Sequence, residues 1–263
     1  MANKSDPIIV FDSGMGGISV LKEMVRLMPE EDFIYFGDSA NAPYGERQVE
    51  DVRRLTIGHI RHFLEEKSCK AVAIACNTAT SAAVSDLRKL YPDVPLVGVE
   101  PAVKPASLSS EHPRILVMAT PRTLAEEKFH KLEHQYDDRA VIWPLPCPGL
   151  MEFVEEGILE GDVLHRYLSN LMQPYLDMKP TGIVLGCTHY PFVKHEIEKV
   201  AGPDIEIFDG SLGTARELSR RLYAAGLARS AEHKGTVTFL NSSPDPDKIR
   251  LMEYLFSAKV STQ

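Results

Sequence analysis

Short apolar runs rich in β-branched residues alternate along this chain with stretches of helical periodicity, and that alternation limits the fold more than any other feature. The runs occupy 8–11, 33–36, 71–75, 96–99, 115–118, 141–143, 183–185, 205–208 and 237–240. Between them, Leu21, Met24, Val25 and Met28 share one helical face, as do Val49, Val52, Thr56, Ile60, Phe63 and Leu64. Leu164, Tyr167, Leu168, Leu171, Met172 and Tyr175 make a third such stripe. Strands that alternate with core-facing crossover helices predict an α/β fold with mostly parallel sheets.

A weak internal repeat refines this expectation. Asp12 and Thr120, each closing an apolar run, stand 108 positions apart, Glu100 and Asp209 stand 109 apart, and Cys76 and Cys187 stand 111 apart. Two similar, pseudo-symmetric α/β domains account for such a near-constant offset. They would meet with the active site in the cleft between them.

Composition narrows the function classes. The chain has 263 residues, 25% of them charged, and a net charge of −8 with no concentrated basic stripe, which argues against a nucleic-acid partner. No apolar run approaches the ~20 residues needed to span a bilayer, so no membrane association is expected. Residues 1–7 lack the charged and apolar segments of a secretory signal, and a cytoplasmic location is expected. Four cysteines in a chain of this size do not suggest a disulfide framework. There is no CxxC pair, and Cys187-x-His189 is too closely spaced for an ordinary zinc site, so no metal is expected.

In open α/β sheets, ligands sit beyond the carboxyl ends of strands, near helix N-termini. Four polar stretches take that location: Asp12-Ser13-Gly14-Met15-Gly16-Gly17, Pro43-Tyr44-Gly45, Cys76-Asn77-Thr78-Ala79-Thr80, and Cys187-Thr188-His189-Tyr190. The first is not a dinucleotide fingerprint, because Ser19 stands where the third glycine belongs, and it lacks the GK[ST] ending of a phosphate loop. Its glycines also suit a turn that lets a helix pack closely on its strand. Asn77 and Thr78 read as N-caps of the helix that follows. Cys69 and Cys147 read as small buried apolar residues.

The pairing of Cys76 with Cys187 changes the chemistry. Each ends an apolar run in matched halves, and each is followed within two residues by a threonine. A free thiol of pKa ~8.5 is only a few per cent ionised at neutral pH, so a helix N-terminus and a nearby base must help. Asp12 and His189 are the bases at hand. Symmetrical thiols without a cofactor motif point to proton transfer on both faces of one carbon, which is racemisation or epimerisation. No Lys or Arg occurs in the four stretches, so an anionic substrate would rest on helix ends, backbone N–H groups and hydroxyls. Thr78, Asn77 and Thr188 are the expected donors around a carboxylate as charge builds on it.

The motifs "FDSGMGG", "GDSANAPYG", "ACNTAT", "GCTHYP" and "IFDGS", in this order over about 8–215, resemble those of the glutamate racemases. The resemblance implies a two-domain enzyme interconverting L- and D-glutamate without pyridoxal phosphate or metal, which supplies D-glutamate for peptidoglycan. It assigns Cys76 and Cys187 as the acid/base pair, Asp12 as the partner of Cys76 and His189 as the partner of Cys187. Cys76 would deprotonate D-glutamate and Cys187 L-glutamate. Asp12, Ser13, Pro43, Tyr44, Gly45, Asn77, Thr78, Thr120, Thr188 and His189 would line the substrate pocket, with Glu155 of "VEEG" a further substrate-binding residue. The first domain would hold 1–100 and 208–263, the second 101–207, and a homodimer would be the functional partner arrangement.

Two stretches depart from the family pattern: "ATPRT" lacks the expected glycine before Thr120, and "CPGLMEFVEEG" carries 149–152 where an apolar-Val-Pro run is usual. Aspartate and hydantoin racemases share the paired cysteines and remain the nearest alternative. A non-catalytic clamp for a small acid would explain the polar loops but not two matched thiols, and a cysteine hydrolase would need only one.

Overall fold

The computed structural model describes residues 2–258 apart from 126 and 137. Residues 259–263, assigned above to the first domain, lie outside the described residues. Two compact units make up the chain, one holding the residues through Glu100 together with Ser211–Ser257, the other Pro101–Gly210.

The first unit begins β1 (Ile8–Asp12), α1 (Ile18–Leu27), β2 (Phe33–Gly37), α2 (Val49–Glu65), β3 (Ala71–Ile74), α3 (Asn77–Leu90) and β4 (Leu96–Gly98). The second contains α4 (Val103–Ala106), β5 (Arg114–Ala119), α5 (Pro121–Leu124), α6 (Glu127–His134), β6 (Val141–Pro146), α7 (Leu150–Glu155), α8 (Asp162–Leu176), β7 (Gly182–Leu185), α9 (Lys194–Ala201) and β8 (Glu206–Asp209). The chain then returns to the first unit with α10 (Ser211–Ala224), β9 (Val237–Asn241) and α11 (Pro246–Ser257).

Both sheets are wholly parallel, in the order β4-β3-β1-β2-β9 in the first unit and β6-β5-β7-β8 in the second. Written from the other edge, the second order is β8-β7-β5-β6, which repeats β4-β3-β1-β2 strand for strand. This shared topology underlies the sequence offset: Cys76 lies two residues beyond the end of β3, and Cys187 two residues beyond the end of β7. The sheets are α/β layers with both faces covered, which is why β1, β3 and β7 are buried at every position and read as continuous apolar runs rather than alternating ones.

Helix periodicity reports the faces packed on these sheets. Val52, Thr56, Ile60 and Phe63 of α2 turn inward, and Ala79, Ala82, Ala83 and Leu87 of α3 join the same core with Ile9, Phe11, Val72 and Ile74. Burying a large apolar side chain of this kind contributes about 1.5–3 kcal/mol each. In the second unit Val103, Ala106, Ile115, Val117, Phe129, Val184 and Phe208 form the corresponding cluster.

Strand ends fall within one residue of the expected runs except at β6. β6 runs on to Pro146 because it is the edge strand of its sheet, where proline is tolerated without the loss of a ladder hydrogen bond. The expected caps Asn77 and Thr78 lie inside α3. Cys76 is extended (φ −128°, ψ 123°) and takes the N-cap position itself, with no side-chain cap hydrogen bond.

Gly17 serves the close packing read from its motif, since a Cβ there would stand 2.8 Å from both Ala75 Cβ and Asp12 Cβ. Gly37 is tighter still: a Cβ would lie 2.3 Å from the Gly14 carbonyl oxygen and 2.6 Å from Met252 Cε. Gly37→Ala is therefore expected to cost about 1–3 kcal/mol through overpacking against backbone, read as a lowered urea midpoint at unchanged slope.

Candidate active site

Each sheet gathers a separate group of functional side chains at the carboxyl ends of its strands. In the first unit, Asp12 closes β1, Ser13 follows it, and Cys76 follows β3. The parallel register of β1 with β2 and β3 brings these ends together. Cys76 is buried, and its Sγ lies 3.4 Å from Ser13 Oγ. Asp12 is fully buried, and its Oδ1 accepts the Gly14 N–H at 2.6 Å. The glycine turn thus supplies backbone hydrogen bonding to a buried carboxylate, which burial alone would penalise.

Pro43, Tyr44 and Gly45 lie after β2, where Tyr44–Glu46 forms a short 3-10 turn. Tyr44 is buried, and its phenol pKa is driven far up, first by burial, then by Asp38, with the charges of Cys76 and Asp12 adding to the effect. Tyr44 and Cys76 belong to the same buried cluster of this unit. Thr78 is buried in the first turn of α3, and the Asn77 Oδ1 is buried without a hydrogen-bond partner.

In the second unit Cys187 is likewise buried, with Sγ 3.6 Å from His189 Nδ1. The far nitrogen of that ring, Nε2, is 2.9 Å from Glu155 Oε1. Burial disfavours the imidazolium, but the hydrogen bonds to Cys187 and Glu155 and the charges on both outweigh it, so the pKa of His189 lies well above 6.5. Glu155, read from the sequence as a substrate-binding residue, meets His189 in this structure. It reaches there from the end of α7, a helix entered through Gly149 in the left-handed region (φ 88°). Thr188 is buried beside the thiol in sequence. Thr120 caps α5, its Oγ1 accepting the Thr123 N–H at 3.2 Å.

The other two cysteines are protonated packing residues. Burial pushes both Cys69 and Cys147 up to about 12, and the Cys147 thiol donates to the Leu145 carbonyl at 3.3 Å. The Tyr190 hydroxyl donates to the Cys147 carbonyl at 3.4 Å, which ties the Cys187 loop to the strand end of β6. Sequence reading passed over Asp38 and His59, although Asp38 stands within "GDSANAPYG". Among the described residues, no group of three or more His, Cys, Asp or Glu is placed to hold a metal ion, and no helix is long and apolar enough to cross a membrane.

Two topologically repeated units, each ending a central strand in a buried cysteine with a hydroxyl or imidazole at its sulfur, define a protein class. The chain belongs to the Asp/Glu/Hydantoin racemase family, which matches residues 8–218, and is an isomerase. A glutamate racemase of Clostridium botulinum (strain 657) is 49% identical over 98% of this chain and 100% of its own length. The crystal structure of glutamate racemase from Francisella tularensis with D-glutamate is similar at TM-score 0.83 and 26% identity, covering 98% of this chain and 96% of that one. The Escherichia coli glutamate racemase, in complex with L-glutamate and an activator, is similar at TM-score 0.84 and 28% identity, covering 95% of each chain. Within the family, the chain stands with the glutamate racemases.

Proposed function

We propose that this isomerase interconverts L- and D-glutamate by moving a proton at the α-carbon with two thiols, Cys76 and Cys187. The observation that carries the proposal is the matched placement of both buried thiols two residues beyond equivalent strands, each with its own polar partner.

Starting from D-glutamate, the Cys76 thiolate takes the α-proton. The electron pair of the C–H bond stays on the substrate as a carbanion conjugated with its carboxylate. The Cys187 thiol then gives its proton to the opposite face, leaving Cys187 as thiolate and Cys76 as thiol. The reverse reaction begins from the Cys187 thiolate. His189 supports that state: with its pKa raised, it stays cationic beside the sulfur and lowers the cost of ionising it. Asp12, an anion, cannot stabilise the Cys76 thiolate by charge, and instead serves Cys76 as the base that takes up the thiol proton. Asn77 Oδ1, an unpaired buried acceptor, suits the substrate's α-ammonium, and Thr78, Thr188 and the N-terminus of α3 suit its carboxylates.

The two compact units are the enzyme's domains, and the product D-glutamate goes to peptidoglycan synthesis in the cytoplasm. The test is isotopic. With D-glutamate in heavy water, early L-glutamate should carry deuterium at Cα while recovered D-glutamate stays largely protiated, because one residue removes the proton and another delivers a solvent-derived one. Equal labelling of substrate and product would indicate a single swinging base. Turnover of aspartate but not glutamate would move the substrate assignment to the aspartate branch of the family.

A further inference from the structure

A buried carboxylate and an imidazole that the acid/base scheme does not use lie next to Tyr44. Asp38 follows β2 and is fully buried, and its backbone N–H donates to the Asp12 carbonyl at 2.9 Å. Its Oδ2 accepts the Tyr44 hydroxyl at 2.7 Å, and its Oδ1 accepts Asn41 Nδ2 at 3.0 Å. Burial opposes the charge of Asp38, yet contacts with His59, Tyr44, Ser242 and Asn41 outweigh that cost and hold it well below the usual carboxylate range. Tyr44 remains a phenol, so its single proton is committed to Asp38. That hydrogen bond orients a ring that shares a buried cluster with Cys76.

His59, on α2, approaches the same oxygen. Its Nε2 is 3.1 Å from Asp38 Oδ2, while its ring packs on Phe36 (centroids 4.8 Å apart) and Phe11 (5.8 Å). Nε2 is buried and lies off the line of a hydrogen bond, so the contact is one of charge and dipole. An N–H at Nε2 directs its dipole toward the carboxylate.

We infer that His59 is a positioning residue for the reaction: through Asp38 it fixes Tyr44, and through Tyr44 the wall of the substrate site beside Cys76. The inference rests on the reading of Tyr44 as a pocket residue. His59 belongs to none of the polar stretches and lies on a helix whose periodicity reads as core, so only the folded chain reveals it.

The test compares His59→Leu, which removes the N–H, with His59→Gln, which restores one. His59→Leu should raise KM for both enantiomers about tenfold while kcat stays within about threefold, and His59→Gln should return KM to within about twofold of wild type. A purely structural role would lower the melting temperature and the active fraction, hence apparent kcat, and leave KM alone. That pattern, or a wild-type KM in His59→Leu, overturns the inference. Should His59→Leu fail to fold, Tyr44→Phe cuts the link at its other end, and an unchanged KM there overturns it as well. Cys76→Ser is measured alongside: full activity in that variant defeats the two-thiol reading itself, whereas an inactive Cys76→Ser with wild-type KM in His59→Leu defeats only the role of His59.

Discussion

Cys76→Ser and Cys187→Ser should each cut racemisation by about 10²–10⁴-fold, and in both directions, since a positioned acid or base contributes roughly that factor. In the proposed mechanism each direction uses one thiol as base and the other as acid, so neither substitution can spare one enantiomer. A hydroxyl fits the space but is far less acidic than a thiol. Initial rates from each enantiomer, followed by circular dichroism, read the effect directly. Cys69→Ser and Cys147→Ala should retain turnover, because burial keeps those thiols protonated and they serve in packing. A Cys187→Ser enzyme with near-normal turnover would end the two-thiol mechanism.

The second large effect concerns the chain Cys187–His189–Glu155. His189→Asn should slow the L-to-D direction by about 10²-fold in kcat, the size of effect seen when one preorganised electrostatic partner is removed. The ratio of kcat/KM for the two directions stays at unity, so any asymmetry appears in kcat and KM separately. Glu155→Gln tests the same chain through stability. His189 has a pKa raised above 6.5 in the folded protein, so protonation favours the folded state. That contribution is fully present below about pH 6.5 and is lost as pH rises through the raised value. Glu155→Gln should therefore cost about 1.5–3 kcal/mol at pH 6, where a charge-assisted hydrogen bond is lost. The gap between variant and wild type should narrow in alkaline buffer. Urea unfolding at the two pH values measures it, and a gap independent of pH would detach Glu155 from the charge on His189.

What the sequence disclosed followed the range of the interaction responsible. Fully buried parallel strands such as 8–11, 71–75 and 183–185 are visible as apolar runs because both faces of each sheet are covered. The strand at 141–143 was underestimated because Pro144 and Pro146 are acceptable only at an edge, and edge position is a property of the sheet. The Cys187–His189 pairing is written within three residues. The Glu155–His189 contact spans 34 positions and the Ser13–Cys76 contact 63, so no local pattern encodes either. His59 shows the limit most clearly, since its helix gave a correct core stripe and no sign that this side chain reaches Asp38.

The completion of the first sheet by β9 has a consequence for biosynthesis. Strand β2 pairs on its outer side with Val237–Asn241, which is made only after the whole second unit has been translated. At about 5–20 residues per second, β2 waits on the order of ten seconds or more with its outer N–H and C=O groups unpaired. Such an open edge is a template for joining another chain. The second unit is contiguous, and all four of its strands have been synthesised once Asp209 is made. The nascent protein thus passes through a stage with one finished sheet and one unfinished sheet. During that interval the unpaired edge is the outer side of Phe33–Gly37.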